Sequence, residues 1–190
     1  YYSDKINLNL NNFSNAGQVI LVNCSQSMLS DLDVSNGSIG ISLFYCTNNS
    51  VLEINASCNI YGIFLSFCNN NIISENTANY NDFNGIHLEY CNDSNIYKNI
   101  VNFNNISGIS LDYTCNNTVS GNTANNNNNY GINLSNSDNN TVSGNTANKN
   151  INNGINLSNS DNNTVSGNNA YDNYCGIFLD YSYKNTVSGN

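Results

Sequence analysis

The chain has 190 residues, a formal net charge of −9 and four basic residues. This balance excludes a basic surface for nucleic acid or anionic membrane, and no run approaches the roughly 18 apolar residues of a membrane-spanning helix. Asparagine supplies roughly a quarter of the chain, yet 39% of the residues are apolar and regularly spaced, which argues against disorder.

The main pattern is a repeat of 22 or 23 residues. Its first element is the motif Gly-Ile-x-Leu, whose alternation of apolar and variable positions is typical of a short β-strand. A degenerate copy, Val19-Ile20-Leu21, precedes the regular ones. The regular copies begin at Gly40, Gly62, Gly85, Gly108, Gly131, Gly154 and Gly176. A fixed period of this length predicts a solenoid, in which each coil buries its apolar side chains against the next.

Two further apolar columns follow the motif in each repeat. The second column contains Leu29, Val51, Ile73, Ile96, Val119, Val142, Val165 and Val187. The third contains Val34, Ala56, Ala78, Val101, Ala124, Ala147 and Ala170. Three short strands per coil predict an all-β parallel β-helix of about eight coils, spaced about 4.8 Å apart. We expect residues 1–190 to form a single such domain and to be a piece of a longer chain.

Asparagine recurs in two columns of the same register. One contains Asn76, Asn99, Asn122, Asn145, Asn168 and Asn190, and the other contains Asn59, Asn81, Asn104, Asn127, Asn150 and Asn173. Asparagine tolerates the left-handed backbone of tight corners, and stacked amides can bond to one another along a parallel stack. We therefore expect the asparagines to be mainly architectural.

The phrase N-x-x-G-I-x-L-S-x-S-x-x-N-T-V-S-G-N, best matched in the last four coils, resembles the right-handed parallel β-helix repeats of the NosD type, in the pectin-lyase-like superfamily. The resemblance covers nearly the whole chain. Such repeats occur in periplasmic proteins of copper-enzyme maturation, in carbohydrate-binding and sugar-hydrolysing domains, and in archaeal surface proteins. The resemblance therefore implies a right-handed parallel β-helix more strongly than it implies a function.

The chemistry known for such proteins does not transfer to these residues. A copper site needs clustered Met, His or Cys ligands, whereas Met28 and His87 each stand alone. Pectate lyases use a calcium-binding cluster of acids beside a basic residue, and nothing in this chain matches that set. We expect no metal site and no cofactor.

The catalytic candidates are His87, Glu89 and Asp112. His87 lies at the variable position of Gly-Ile-x-Leu and should point outward, Glu89 takes the next outward position, and Asp112 takes the place of Glu89 one coil on. Two stacked carboxylates about 5 Å apart could share a proton or bind a cation. They could equally be two solvated acids, and the same choice applies to Asp138 and Asp161.

An aromatic column follows the first strand. It contains Tyr45, Phe67, Tyr90 and Tyr113, is interrupted by Asn136 and Asn159, and resumes at Tyr181. Rings that face outward would form a stripe on which sugars or a partner could stack. The alternative is aromatic packing between coils that stabilises the wall.

The seven cysteines divide into a column and three outliers. Cys24, Cys46, Cys68 and Cys91 occupy one position per coil, which continues as Thr114, Ser137, Ser160 and Ser182. We expect a small, half-buried side chain there and stacked free thiols, because parallel in-register geometry is awkward for a disulfide. One or two disulfides remain an alternative, and Cys58, Cys115 and Cys175 lie elsewhere.

Asn116, Asn139 and Asn162 begin N-x-T sequons at predicted turns, so they are glycosylation candidates in a secreted protein. The repeat favours a non-enzymatic structural or adhesive segment of an extracellular or cell-surface protein. Such a segment would act as a rigid spacer, or would self-associate through coil ends that no sequence feature caps. The alternative is a carbohydrate-binding or carbohydrate-active domain that uses the aromatic column, with polysaccharide as its partner.

Overall fold

The chain folds as a parallel β-helix of about eight coils, as predicted, in a computed structural model that describes residues 1–13 and 15–190. In chain order the elements are β1 (Tyr2–Ser3), α1 (Leu10–Phe13), β2 (Val19–Val22), β3 (Met28–Ser30), β4 (Ile39–Phe44), β5 (Ser50–Leu52), β6 (Tyr61–Ser66), β7 (Ile72–Ser74), β8 (Ile86–Glu89), β9 (Asn95–Tyr97), β10 (Ile109–Asp112), β11 (Thr118–Ser120), β12 (Ile132–Ser135), β13 (Thr141–Ser143), β14 (Asn153–Ser158), β15 (Thr164–Ser166), β16 (Cys175–Asp180) and β17 (Thr186–Ser188).

Each coil contributes one strand to each of two parallel sheets. Within the described residues, β1 and the even-numbered strands form a nine-stranded sheet, and the odd-numbered strands from β3 to β17 form an eight-stranded sheet. The pairing is in register with the repeat, so that Ile109 lies opposite Ile132 and Val119 lies opposite Val142. The third predicted strand is reduced to one β-bridge per coil, such as Thr123 opposite Thr146.

The core is formed by stacking the predicted apolar columns. The Ile and Leu of each Gly-Ile-x-Leu motif, together with the Val and Ile of the eight-stranded sheet, are almost completely buried from Val19 to Val165. The motif glycine is required because the coils approach closely there. A Cβ on Gly131 would lie 2.6 Å from the carbonyl oxygen of Gly154, a distance that real Cβ atoms do not reach.

Four left-handed corners close every coil. Apart from Asn15, which comes after helix α1, the described residues with positive φ fall at these corners. One corner follows each strand, one follows the β-bridge segment, and one lies between the two sheets. The corner after the nine-stranded sheet is taken by Tyr45, Phe67, Tyr90 and Tyr113, whose φ angles lie between 51° and 55°. Non-glycine residues adopt this conformation only at some cost in energy.

The residue after each corner explains the asparagines. A left-handed corner turns the next backbone N–H along the helix axis, where it needs an acceptor. The N–H of Asn99 donates to Oδ1 of Asn122 at 2.9 Å, and its side-chain amide donates to the same atom at 2.9 Å. The two predicted amide ladders therefore form. The left-handed conformation, which we predicted for the ladder asparagines, belongs instead to the preceding residue, such as Lys98 or Gly121.

Two more ladders obey the same rule. One of them was not predicted from the sequence, and it contains Ser27, Asn49, Asn71, Ser94, Asn117, Asn140, Asn163 and Asn185. The other is the cysteine column, in which the N–H of Cys46 donates to Sγ of Cys68 at 3.2 Å. From Cys24 to Ser160 its members are fully buried rather than half-buried, because their side chains face the core.

The first coil is covered, contrary to our expectation of uncapped ends. Helix α1 packs beside β3, Phe13 is buried, and its ring meets Tyr2 edge-on at 5.5 Å between centroids. In the last coil Leu179 and Val187, which occupy core columns, are exposed. Among the described residues, the structure contains no helix that is both long enough and apolar enough to cross a membrane.

Candidate functional site

The outward side chains of the nine-stranded sheet form a continuous surface, which we call the outer face. Burial alternates along these strands: in β8, Ile86 and Leu88 face the core while His87 and Glu89 are only partly covered. Outward positions of successive coils lie opposite one another, so the side chain of His87 is followed by that of Ser110 and then by that of Asn133. The outer face is therefore a set of side-chain rows along the helix axis.

Aromatic side chains cover the first coils of the outer face. We call Phe44, Tyr61, Phe64 and Phe83 the first aromatic patch. Tyr61 stacks on Phe83 with ring centroids 4.9 Å apart, and Phe64 meets Phe44 edge-on at 5.7 Å. The ring of His87 closes the patch, because its centroid is 5.3 Å from that of Phe64.

A row of hydrogen-bonding side chains continues from this patch. We call His87, Ser110, Asp112, Asn133, Asn153 and Asn156 the polar row. Starting from the far end, Asn153 donates to Asn156, which donates to Asn133, which donates to Ser110. Ser110 then donates to Asp112 at 3.1 Å, so the Asp112 carboxylate is the final acceptor of the row. Because every bond points the same way, each one polarises the next.

The structure brings two of the three catalytic candidates into contact. Nε2 of His87 lies 2.8 Å from Oδ2 of Asp112, and the two side chains are 16% and 26% exposed. An ionised carboxylate accepts hydrogen bonds and cannot donate them, so Nε2 carries the proton. Nδ1 is buried and has no partner among the described residues. In this arrangement neither ring nitrogen is free to exchange a proton with a bound molecule.

Glu89 differs from Asp112 in its partners. It lies opposite Asp112 in the sheet, as the register predicted. Its carboxylate receives a single long contact among the described residues, 3.5 Å from Oγ of Ser66. Asp112 is turned towards His87 and Ser110, so the two acids do not share a hydrogen bond. Asp138 and Asp161 serve the backbone instead, since Asp138 accepts the N–H of Asp161 at 2.7 Å.

The aromatic column forms a stacked stripe along one border of the outer face. We call Tyr45, Phe67, Tyr90 and Tyr113 the corner stripe. Their ring centroids are 4.9–5.2 Å apart and their planes differ by 12–17°. The rings therefore pack on one another between coils, and yet each remains 41–59% exposed. This geometry supports the packing alternative and leaves ring edges and hydroxyl groups accessible.

A second group of aromatic side chains lies farther along the same face. We call Tyr130, Tyr174 and Phe178 the second aromatic patch. With Asn152 and Asn153 they line a shallow depression of about 220 Å³. Tyr174 and Phe178 are exposed, and Asn153 begins the polar row. The two aromatic patches are therefore joined by hydrogen-bonding side chains.

The cysteine column contributes no reactive group to this face. All seven cysteines are free thiols, and the column from Cys24 to Cys91 is buried. The hydrogen bond with Cys46 lowers the pKa of the Cys68 thiol, but the bond with Cys91 and burial prevail and raise it to about 12. The thiols of the column thus serve as ladder members, while Cys58 is exposed at a corner.

The glycosylation candidates occupy one column. Asn116, Asn139 and Asn162 are exposed and adopt left-handed φ angles of 57–59° at the corner before the eight-stranded sheet. The adjacent Thr118, Thr141 and Thr164 lie in strands of that sheet. Occupancy of these sites stays a prediction.

Neither aromatic patch was predicted from the sequence. Tyr61 and Phe64 lie in a regular Gly-Ile-x-Leu repeat, but Phe83, Tyr130 and Tyr174 come from the variable segments before the strand. No column contains them all, so a search by register does not group them. A usable signal is the concentration of aromatic residues directly before and within the first strand of a few coils.

Comparison with solved structures shows the fold and no more. The periplasmic alginate epimerase AlgG superposes with a TM-score of 0.72 at 20% identity, covering 95% of this chain and 52% of that chain. The Dettilon tailspike protein superposes with a TM-score of 0.76 at 16% identity, covering 96% of this chain and 47% of that chain. The A-module of the mannuronan C-5 epimerase AlgE6 from Azotobacter vinelandii superposes with a TM-score of 0.64 at 14% identity, covering 87% of this chain and 62% of that chain. The chain thus spans about half of the length of the first two proteins.

A search of curated proteins finds no significant match. The profile of one family, described as periplasmic copper-binding protein (NosD), matches residues 79–190. This is more than half of the 190 residues, and it confirms the resemblance drawn from the repeat motif. The chain belongs to the NosD family.

Proposed function

We propose that this chain is a polysaccharide-binding β-helix whose binding surface is the outer face. The observation that carries the proposal is the layout of that face: two aromatic patches joined by the polar row. Phe64 and Phe178 are five coils apart, which is about 24 Å along the axis. Aromatic rings that pack on sugar faces, with hydroxyls and amides between them, suit a long polymer laid along the helix.

The spacing of the coils supports the same proposal. Successive coils lie about 4.8 Å apart, close to the length of one hexopyranose unit. A polymer along the axis could therefore place one sugar over each coil. Two of the structurally similar proteins are named as alginate or mannuronan epimerases, so this architecture supports polysaccharide recognition in other chains.

Copper binding, which the family description names, does not fit the described side chains. Copper favours clustered sulfur and imidazole ligands. Here the column thiols donate to backbone carbonyl groups, His87 is bonded to Asp112, and Met28 lies on the eight-stranded sheet. Within the described residues, no group of three His, Cys, Asp or Glu side chains is arranged to hold a metal ion.

Binding would be measured by affinity electrophoresis in gels that contain soluble polysaccharides. We expect Phe64→Ala and Tyr174→Ala to weaken retention about tenfold each, since loss of one ring contact costs on the order of 1.4 kcal/mol. Tyr90→Ala tests the corner stripe in the same way. The matched control is Tyr80→Ala, which removes an exposed ring stacked on Phe103 at another corner. Equal retention of all four variants and the wild type would contradict the proposal.

A rigid spacer or self-associating unit is the second candidate function. It is supported by the asparagine ladders, which connect successive coils along the stack. Electron microscopy of the full-length protein, with light scattering on this domain, distinguishes the two. Ordered fibres would support assembly, whereas monodisperse short rods would remove it. Either function suits a location in the periplasm or outside the cell, which we infer from the family description.

A further inference from the structure

The outer face carries negative charge without a counter-charge. Its outward positions include Glu89, Asp112 and Asp180. The four basic residues, all lysines, are Lys5, Lys98, Lys149 and Lys184. Lys98, Lys149 and Lys184 lie at left-handed corners and not on the strands of this face, and Lys98 pairs with Glu75 at 3.1 Å. His87 is the one basic side chain on the described outer face, and its Nε2 is already hydrogen-bonded to Asp112.

The two central acids are not equivalent. Asp112 accepts short hydrogen bonds from His87 and Ser110, whereas Glu89 accepts one contact of 3.5 Å from Ser66. A carboxylate is an acceptor that offers no donor. The Glu89 carboxylate can therefore accept further hydrogen bonds, which favours a ligand with hydrogen-bond donors. Hydroxyl groups that donate to a carboxylate form charge-assisted hydrogen bonds. Glu89 also lies beside Tyr90 of the corner stripe, so an acceptor and an aromatic edge are adjacent.

We propose that the outer face selects an uncharged, hydroxyl-rich polysaccharide and rejects polyuronates, with Glu89 as the selecting group. The inference rests on the proposed function and names its substrate class. A uronic acid polymer brings a carboxylate with every sugar, so at one sugar per coil it would place negative charges against Glu89 and Asp112. Like charges in such close pairs repel one another, and the repulsion is stronger beside protein than in water. The structurally similar epimerases named for alginate and mannuronan therefore do not predict the polymer that binds here.

The test compares a soluble neutral glucan and mannan with polymannuronate, using the whole chain in the presence of a chelator. We expect the neutral polymers to bind about tenfold or more tightly than polymannuronate at low salt. Added salt should narrow this ratio, because it screens exposed charges. Glu89→Gln should strengthen polymannuronate binding several-fold and weaken binding of the neutral polymer. The control is Glu53→Gln, which removes the same charge at an exposed corner after the eight-stranded sheet and should leave the ratio unchanged.

The outcomes separate this inference from the proposed function. Tighter binding of polymannuronate in chelator, or equal ratios for Glu89→Gln and Glu53→Gln, would overturn the selectivity while leaving polysaccharide binding intact. The selectivity would also be overturned if added calcium made polymannuronate bind more tightly than glucan and mannan. If the wild-type chain binds neither class of polymer, the proposed function fails together with the inference.

Discussion

The residue that follows each corner determines whether a coil can close. A left-handed corner leaves one backbone N–H pointing along the axis, and an inward Asn, Ser or Cys of the next coil accepts it. Buried N–H groups without an acceptor are rare in folded proteins, because each loses its hydrogen bond to water. The high asparagine content is therefore a consequence of corner chemistry repeated in every coil.

Asn122→Ala should lower the free energy of unfolding by about 2–4 kcal/mol, because it leaves buried partners unsatisfied. Oδ1 of Asn122 accepts the N–H and the side-chain amide of Asn99, and Nδ2 donates to Ile96 and Asn145. The control is Asn105→Ala, which removes an exposed amide bonded to Asn128 and should change stability by less than about 0.5 kcal/mol. Equal urea midpoints for the two variants would contradict the ladder argument.

At the scale of the element, the thiol ladder ties stability to pH. Because the folded state raises the pKa of Cys68 to about 12 from an ordinary value of 9.0, the folded form holds a proton that the unfolded form releases. The stabilisation from Cys68 is thus complete below about pH 9 and is lost as the pH rises towards 12.

Cys68→Ser should reduce this loss, because serine already fills the same column at Ser137 and Ser160 and makes the same contacts. By about pH 11 the wild type should have lost roughly 1–3 kcal/mol more than the variant, relative to neutral pH. The measurement is urea unfolding across the pH range. All other side chains are the same in both proteins, so the comparison isolates Cys68. Identical slopes would show that Cys68 does not titrate on unfolding.

The corner stripe is an element built from side chains alone. Tyr90 stacks on both Phe67 and Tyr113, whereas Tyr113 has one ring neighbour in the stripe. Each stack is worth about 0.5–1.5 kcal/mol, so Tyr90→Ala should cost about twice as much stacking energy as Tyr113→Ala. Both residues adopt similar φ angles of 51° and 55°, so backbone strain is matched. Thermal unfolding measures the difference, and equal melting temperatures would contradict a stacking role.

At the scale of the molecule, every coil is bound chiefly to its two neighbours. In such a solenoid stability is close to a sum of coil and interface contributions. Inserting a second copy of residues 139–161 after Asp161 should therefore lengthen the rod by about 4.8 Å without lowering its melting temperature. Small-angle X-ray scattering measures the length. A shorter particle, or a separate low-temperature transition, would show that the coils are not interchangeable.

The features that recur at the same position of every coil could be predicted from the sequence. Contacts between different positions of neighbouring coils could not. The motif glycines, the apolar columns and two amide ladders follow from register alone. The ladder from Ser27 to Asn185 was not predicted, because serine replaces asparagine in it at Ser27 and Ser94. The contact between His87 and Asp112 was missed because it runs diagonally, from the variable position of one coil to a position two residues further on in the next.

Corner conformation also escaped prediction for a physical reason. Aromatic residues such as Tyr90 have no preference for left-handed φ, and they adopt it because stacking and the ladders on either side hold the corner in place. Likewise the aromatic patches depend on variable segments that approach the sheet from the side. These features arise from contacts between coils, which the local sequence does not encode.

The amide ladders also give the rod a direction. In the ladder that contains Asn145 the carbonyl oxygen of each side chain points to the preceding coil and one side-chain N–H points to the following coil, as from Asn145 to Asn168 and from Asn168 to Asn190. A coil inserted in the reverse sense would therefore place donor against donor on one side and acceptor against acceptor on the other. The ladder thus allows coils to stack in one sense only, and a stacking contact of this head-to-tail kind is heterologous.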